Sequence, residues 1–124
     1  MRGYFSRLKK LTEEIIMNKD VEWVGSSLED IKTFPVSARK RAGYELEKVQ
    51  AGLDPSDWKP LNSIGSGVKE IRICDIDGIY RVIYVAKFEE HIYILHCFQK
   101  KTQTTSKNDK QIAQARYKEI IRLR

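Results

Sequence analysis

Residues 67–101 read GVKEIRICDIDGIYRVIYVAKFEEHIYILHCFQKK, and their pattern decides the fold. Ile71 to Cys74, Tyr80 to Val85 and Ile92 to Phe98 are dense in β-branched and aromatic residues, which suit a pleated, packed surface. Asp77-Gly78 separates the first two runs and readily supplies the positive φ angles of a tight hairpin turn. Glu89, Glu90 and His91 make a short polar connection to the third. Such close succession leaves no room for a helical crossover, so the spacing predicts an antiparallel meander. Everything else should pack on that sheet.

On the N-terminal side, Val21 to Val24 alternates around Glu22 and predicts a short strand. Ser26 or Ser27 can cap a helical turn through Leu28 and Ile31. Pro35 suits a helix start, and Ala42, Leu46 and Val49 share one side of a helix running to about Ala51. Gly43 costs that helix about 1 kcal/mol relative to Ala, and Gly52 ends it. Residues 53–66, with two prolines and Gly65, are expected to be irregular, anchored by Trp58 and Leu61. On the C-terminal side, Ser106 followed by Asp109 is a capping box with Asp in place of Glu or Gln. A final helix from about Lys107 to Leu123 carries an apolar stripe of Ala113, Tyr117, Ile120 and Ile121. Residues 1–16 place Tyr4, Leu8, Leu11 and Ile15 at helical spacing, as an N-terminal extension or as sequence before an alternative start at Met17. The expected domain is then 17–124.

At 124 residues the chain is long enough to bury a core without staples. No apolar run approaches the roughly 20 residues that cross a bilayer. The N-terminus lacks the apolar segment of a signal peptide, so a cytoplasmic location is expected. Cys74 and Cys97 both fall in predicted strands, where a buried reduced thiol is the default. The net charge of +6 is uneven: from Phe98 onward eight basic residues meet only Asp109 and Glu119, which accounts for all of it. A basic end on a neutral body points to an anionic partner, nucleic acid or an acidic protein segment, or else to a solvated helix.

No cluster has the spacing of a metal site or a nucleophilic triad, and no glycine loop is built to hold phosphate, so no metal or other cofactor is expected. His91 and His96, five apart, are expected on opposite faces of one strand. Cationic and imidazole groups do converge, with Arg72, Arg81, His96, Lys100 and Lys101 on adjacent strands of the meander. Arg81 is either a structural ion pair with Glu70, Asp75 or Asp77, or a guanidinium held rigidly to fork onto a phosphate. His96 is either a satisfied core residue or, with Lys100 on the same face, an acid or base.

Several stretches together resemble the phage-derived, HigB-like branch of the RelE/ParE toxin superfamily. They are VEWVGSSLEDIKTFP, KPLNSIGSGVKEIRI, DGIYRVIYVA, IYILHCFQKKTQTTS and IAQARYKEI. The likeness runs from about Met17 to the C-terminus and leaves residues 1–16 without a counterpart. It implies an α+β toxin of a type II toxin–antitoxin pair, with N-terminal helices packed on a twisted, mainly antiparallel sheet of about four strands and a C-terminal helix. It also implies metal-independent cleavage of mRNA on translating ribosomes by attack of a ribose 2′-hydroxyl, and a cognate antitoxin of helix-turn-helix type. By position, Arg72 and Arg81 match the family's basic site residues, and Lys100 or Lys101 matches the basic residue that ends the last strand. Lys100 is the catalytic candidate, His96 is the candidate proton carrier, and Lys101, Lys107 and Lys110 are candidate RNA-binding residues. Two departures stand out. The family's Tyr or His beyond the last strand has no equivalent between Thr102 and Lys107, and Glu70 stands where some relatives carry a lysine.

Two other readings compete with the nuclease: a ParE-like protein that inhibits DNA gyrase, and a non-toxic nucleic-acid-binding relative. In the nuclease reading, Arg81→Ala is expected to abolish toxicity with little loss of fold.

Overall fold

The structure, a computed structural model, describes residues 18–101 and 104–124. The expected helix within residues 1–16 and the alternative start at Met17 lie outside the described residues. Strands β3 (Val68–Asp75), β4 (Gly78–Val85) and β5 (Ile92–Lys100) form the expected antiparallel meander. The β3–β4 turn is Ile76-Asp77, one residue earlier than expected, and Gly78, at φ 154°, opens β4. Glycine tolerates that positive φ without a Cβ penalty.

Two short strands flank the meander, the expected one at Val21–Trp23 and one beyond the four expected. β1 (Val21–Trp23) pairs parallel with β5, and β2 (Trp58–Pro60) pairs antiparallel with β3. The order is β1-β5-β4-β3-β2. β2 lies in the segment read as irregular; an edge strand can accommodate the proline that argued against one.

Three helices complete the described α+β fold: α1 (Ser27–Lys32), α2 (Val36–Gln50) and α3 (Lys107–Leu123). Pro35 occupies the N-cap of α2, and Gly52 follows its end at φ 85°. At α3 the Ser106 hydroxyl accepts from the Asp109 N–H at 3.1 Å, as the capping pattern requires.

Alternation along the strands sorts side chains to two faces. Ile71, Ile73, Tyr80, Val82, Ile92 and Ile94 pack against Ile31, Ala38, Ala42 and Leu46 of α1 and α2. Val68, Ile83, Val85, Leu95 and Phe98 pack against Ala113 and Ile120 of α3. Of the stripe expected on α3, Ile121 is instead exposed. Cys97 is buried as expected, whereas Cys74 faces solvent, contrary to the expectation of a buried thiol. No helix among the described residues is long and apolar enough to cross a membrane.

A β-bulge interrupts β5: Ile83 faces His96 but Tyr84 faces Ile94, leaving Leu95 as the extra residue. Arg116 of α3 donates from Nη1 to the Leu95 carbonyl at 2.8 Å and from Nη2 to the Ser26 hydroxyl at 3.0 Å. The bulge also overturns the simple alternation argument for the two histidines. His91 precedes β5 and meets Tyr93 edge-on, at 5.8 Å between ring centroids, on the side that carries α3. His96 faces the same side.

Gly43 lies on the exposed side of α2, where an added Cβ would meet no atom within 4 Å. Gly43→Ala is therefore expected to stabilise the protein by about 0.5–1 kcal/mol, through helix propensity and a less flexible unfolded chain. Urea unfolding checks this, and a lower midpoint would contradict it.

Candidate functional site

α3 covers only part of its face of the sheet. Val68, Ile83 and Val85 are buried beneath it, but towards the β3–β4 turn Arg72 and Cys74 are exposed and Ile79 is 41% exposed. On this open part the strand registers set up a cationic group. Arg72 lies opposite Arg81, Lys59 opposite Glu70, and Lys100 opposite Ile79.

Glu70 is the centre of it. Its side chain is fully buried, and Oε2 accepts from the Thr105 hydroxyl at 2.8 Å. Oε1 lies 3.3 Å from Arg81 Nε and 3.6 Å from Lys59 Nζ. Arg81, only 3% exposed, also donates from Nη1 to the Tyr80 carbonyl at 3.2 Å. The ion pair with Glu70 considered from the sequence is therefore present, and it compensates the carboxylate that stands where some relatives carry a lysine. Arg72 reaches outward: its N–H donates to the Asp57 carbonyl at 2.8 Å, and Nη1 stands 4.0 Å from Asp57 Oδ1.

Lys100, the last residue of β5, completes the group. Partial burial pushes its ammonium pKa below the ordinary lysine value, and the charges of Arg81, Lys59 and Arg72 add to this while Glu70 opposes it. Four cations thus stand against two carboxylates, Glu70 and Asp57, a surplus of positive charge suited to a phosphate.

His96 is placed differently. Its Nε2 lies 2.7 Å from Asp109 Oδ1, and its ring stacks on Phe98 at 5.0 Å and 18°. The other oxygen of Asp109 takes the Ser106 hydroxyl, so His96 is tied into the cap of α3. Lys101 is exposed just past β5, lining a cleft of about 340 Å³ with Lys100 and Ser106. Lys107 and Lys110 are exposed on the first turns of α3, with no ion pair among the described residues. The structure therefore brings Arg72, Arg81 and Lys100 together, sets Lys101, Lys107 and Lys110 on exposed surface beyond β5, and keeps His96 bound to α3.

Other basic residues of the C-terminal segment serve the fold. Arg116 holds the bulge, Arg122 pairs with Glu119, and Arg124 forks onto Glu90 at 2.6 and 2.9 Å. Hydrogen bonds from Arg124 hold the Glu90 carboxyl down to about 2.

Sequence reasoning missed Lys59, because it lies in the segment read as irregular. A usable signal was present in Trp58-Lys59-Pro60, an aromatic–basic pair closed by a proline, which fits a three-residue edge strand. A family model described as "Phage derived protein Gp49-like (DUF891)" matches residues 29–118, well over half of the chain and inclusive of this cationic group. No curated protein matches.

Proposed function

The chain belongs to the Gp49-like phage-derived family, a RelE/ParE-like toxin family of toxin–antitoxin systems, and on that premise we propose that it is a HigB-like mRNA endonuclease. In this reading it acts in the cytoplasm on mRNA held by translating ribosomes, uses no metal, and is neutralised by a cognate antitoxin of helix-turn-helix type. The observation that carries the reading is the group of Lys59, Arg72, Arg81 and Lys100 around the buried Glu70, on a part of the sheet that α3 leaves open.

RNA carries its own nucleophile. The 2′-hydroxyl forms a bond to the adjacent phosphorus and gives up its proton to solvent as the bond to the 5′ oxygen breaks, leaving a 2′,3′-cyclic phosphate and a 5′-hydroxyl. The protein's task is then to hold the strand in line and to offset charge on the phosphoryl oxygens, a contribution that is usually the largest one. Arg72 and Lys59 reach the open face for that role, and Arg81, 3% exposed, adds its charge from beneath them. Lys100, whose ammonium releases its proton more readily than an ordinary lysine, is the group we assign to protonate the departing 5′ oxygen. For His96 to carry a proton, it would have to exchange its contact with Asp109 for one with RNA.

The charge of Lys100 also predicts a pH dependence. Its lowered pKa means that the charge is lost at a lower pH than for ordinary lysine, so cleavage should decline on the alkaline side before pH reaches about 10.4. Lys100→Arg keeps the charge and should move that decline upward. An identical alkaline limb in both proteins would remove Lys100 from the reaction.

The reading is tested by inducing the protein in growing bacteria and mapping the 5′ ends of mRNA within minutes. New ends inside translated frames are expected. Growth arrest with intact mRNA would favour the gyrase-inhibiting alternative, and no arrest would favour a non-toxic binder.

A further inference from the structure

We propose that Glu70 is a positioning residue of this site: its buried carboxylate holds the Arg81 guanidinium and the Lys59 ammonium at fixed points, and it takes no proton from RNA. The proposal rests on the endonuclease reading of the same face. Glu70 lies on β3, between β2, which brings Lys59, and β4, which brings Arg81. One side chain therefore reaches cations from both neighbouring strands.

Its two oxygens are divided between tasks. Oε2 is taken by the Thr105 hydroxyl at 2.8 Å, which orients the carboxylate. Oε1 lies between Arg81 Nε and Lys59 Nζ, at 3.3 and 3.6 Å, and has no hydrogen-bond donor among the described residues. Its hold on both cations is electrostatic, and with little water present that attraction is strong. Without it the cations repel one another and spread. At 0% exposure the carboxylate is also shut off from a 2′-hydroxyl arriving on the open face, which argues against a role as base.

The test compares wild type with Glu70→Gln, which keeps the shape and removes the charge. Affinity for a short RNA should be unchanged or tighter, with a steeper salt dependence, because one negative charge has left a cationic surface. The rate constant for cleaving ribosome-bound mRNA should fall about 100-fold, as expected for misplaced catalytic groups. The shape of the pH profile should persist. Loss of an acid limb in Glu70→Gln would make Glu70 a base and overturn the proposal; so would unchanged cleavage, or affinity and cleavage falling together.

Thr105→Val leaves the charge in place but frees the carboxylate, and should lower cleavage in the same direction by a smaller factor. It serves where Glu70→Gln does not fold. The NMR signal of the Arg81 Nε–H provides a readout that needs no activity. Its chemical shift, set by the neighbouring Oε1 charge, should move in both variants, and the same shift in all three would overturn the proposal. A wild type that cuts no RNA while this signal still responds would defeat the endonuclease reading alone.

Discussion

Lys100→Ala is expected to reduce mRNA cleavage by about 100- to 1,000-fold, the usual loss on removing one group aimed at developing charge, while changing stability by no more than about 0.5 kcal/mol. The two effects separate because of where Lys100 sits. It ends β5 opposite Ile79, half-buried, with no ion pair among the described residues. Its neighbours Arg81, Lys59 and Arg72 disfavour its charge, so removing the ammonium relieves repulsion and costs the fold little. In the complex the same ammonium would face phosphate, where its charge is useful. Cleavage on programmed ribosomes and a thermal melt, run on one preparation, check both halves. Full activity in the variant, or a large drop in melting temperature, would count against the assignment.

Arg81→Met is expected to destabilise the protein by about 3–5 kcal/mol, because it leaves the buried Glu70 carboxylate without its arginine. This revises the expectation that Arg81 is dispensable for the fold, which treated it as a surface clamp; the residue is 3% exposed. Toxicity alone therefore cannot separate its two roles. Adding Glu70→Leu to Arg81→Met should recover most of the lost stability, since an apolar pair of similar volume often replaces a buried ion pair at little cost. Toxicity should stay absent in the double variant. Denaturant unfolding of the four proteins gives the coupling between the two positions, and additive losses would show that the ion pair does not hold this part of the sheet.

The parts of the fold that were legible in the sequence are those that leave a local signal. The β3–β5 meander shows in alternation and short connections, and α3 in the Ser106–Asp109 cap and its apolar spacing. β2 was hidden because three residues make no period and Pro60 argues against a strand. The parallel pairing of β1 with β5 joins residues about 70 positions apart and has no neighbouring-sequence signature. The bulge at Leu95 defeated the reading of the two histidines, because one added residue reverses every later side-chain direction.

The same division holds at the site. Arg72, Arg81 and Lys100 could be placed together by register along the meander. The depth of Arg81, the arrival of Lys59 from an edge strand, and the capture of His96 by Asp109 depend on packing between elements far apart in the chain. Glu70 stands out in the sequence as a departure from relatives that carry a lysine, and only its contacts with Arg81, Lys59 and Thr105 show how its charge is compensated.

The central claim is that the cationic group promotes attack by RNA's own 2′-hydroxyl. It is tested most directly by supplying purified protein with ribosomes translating a defined mRNA, and with the same mRNA carrying a single 2′-deoxy nucleotide at the mapped cleavage position. The account predicts fragments ending in a 2′,3′-cyclic phosphate and a 5′-hydroxyl from the first, and no cut at that position in the second. Cleavage that persists at the 2′-deoxy position, or leaves a plain 3′-hydroxyl, would contradict it.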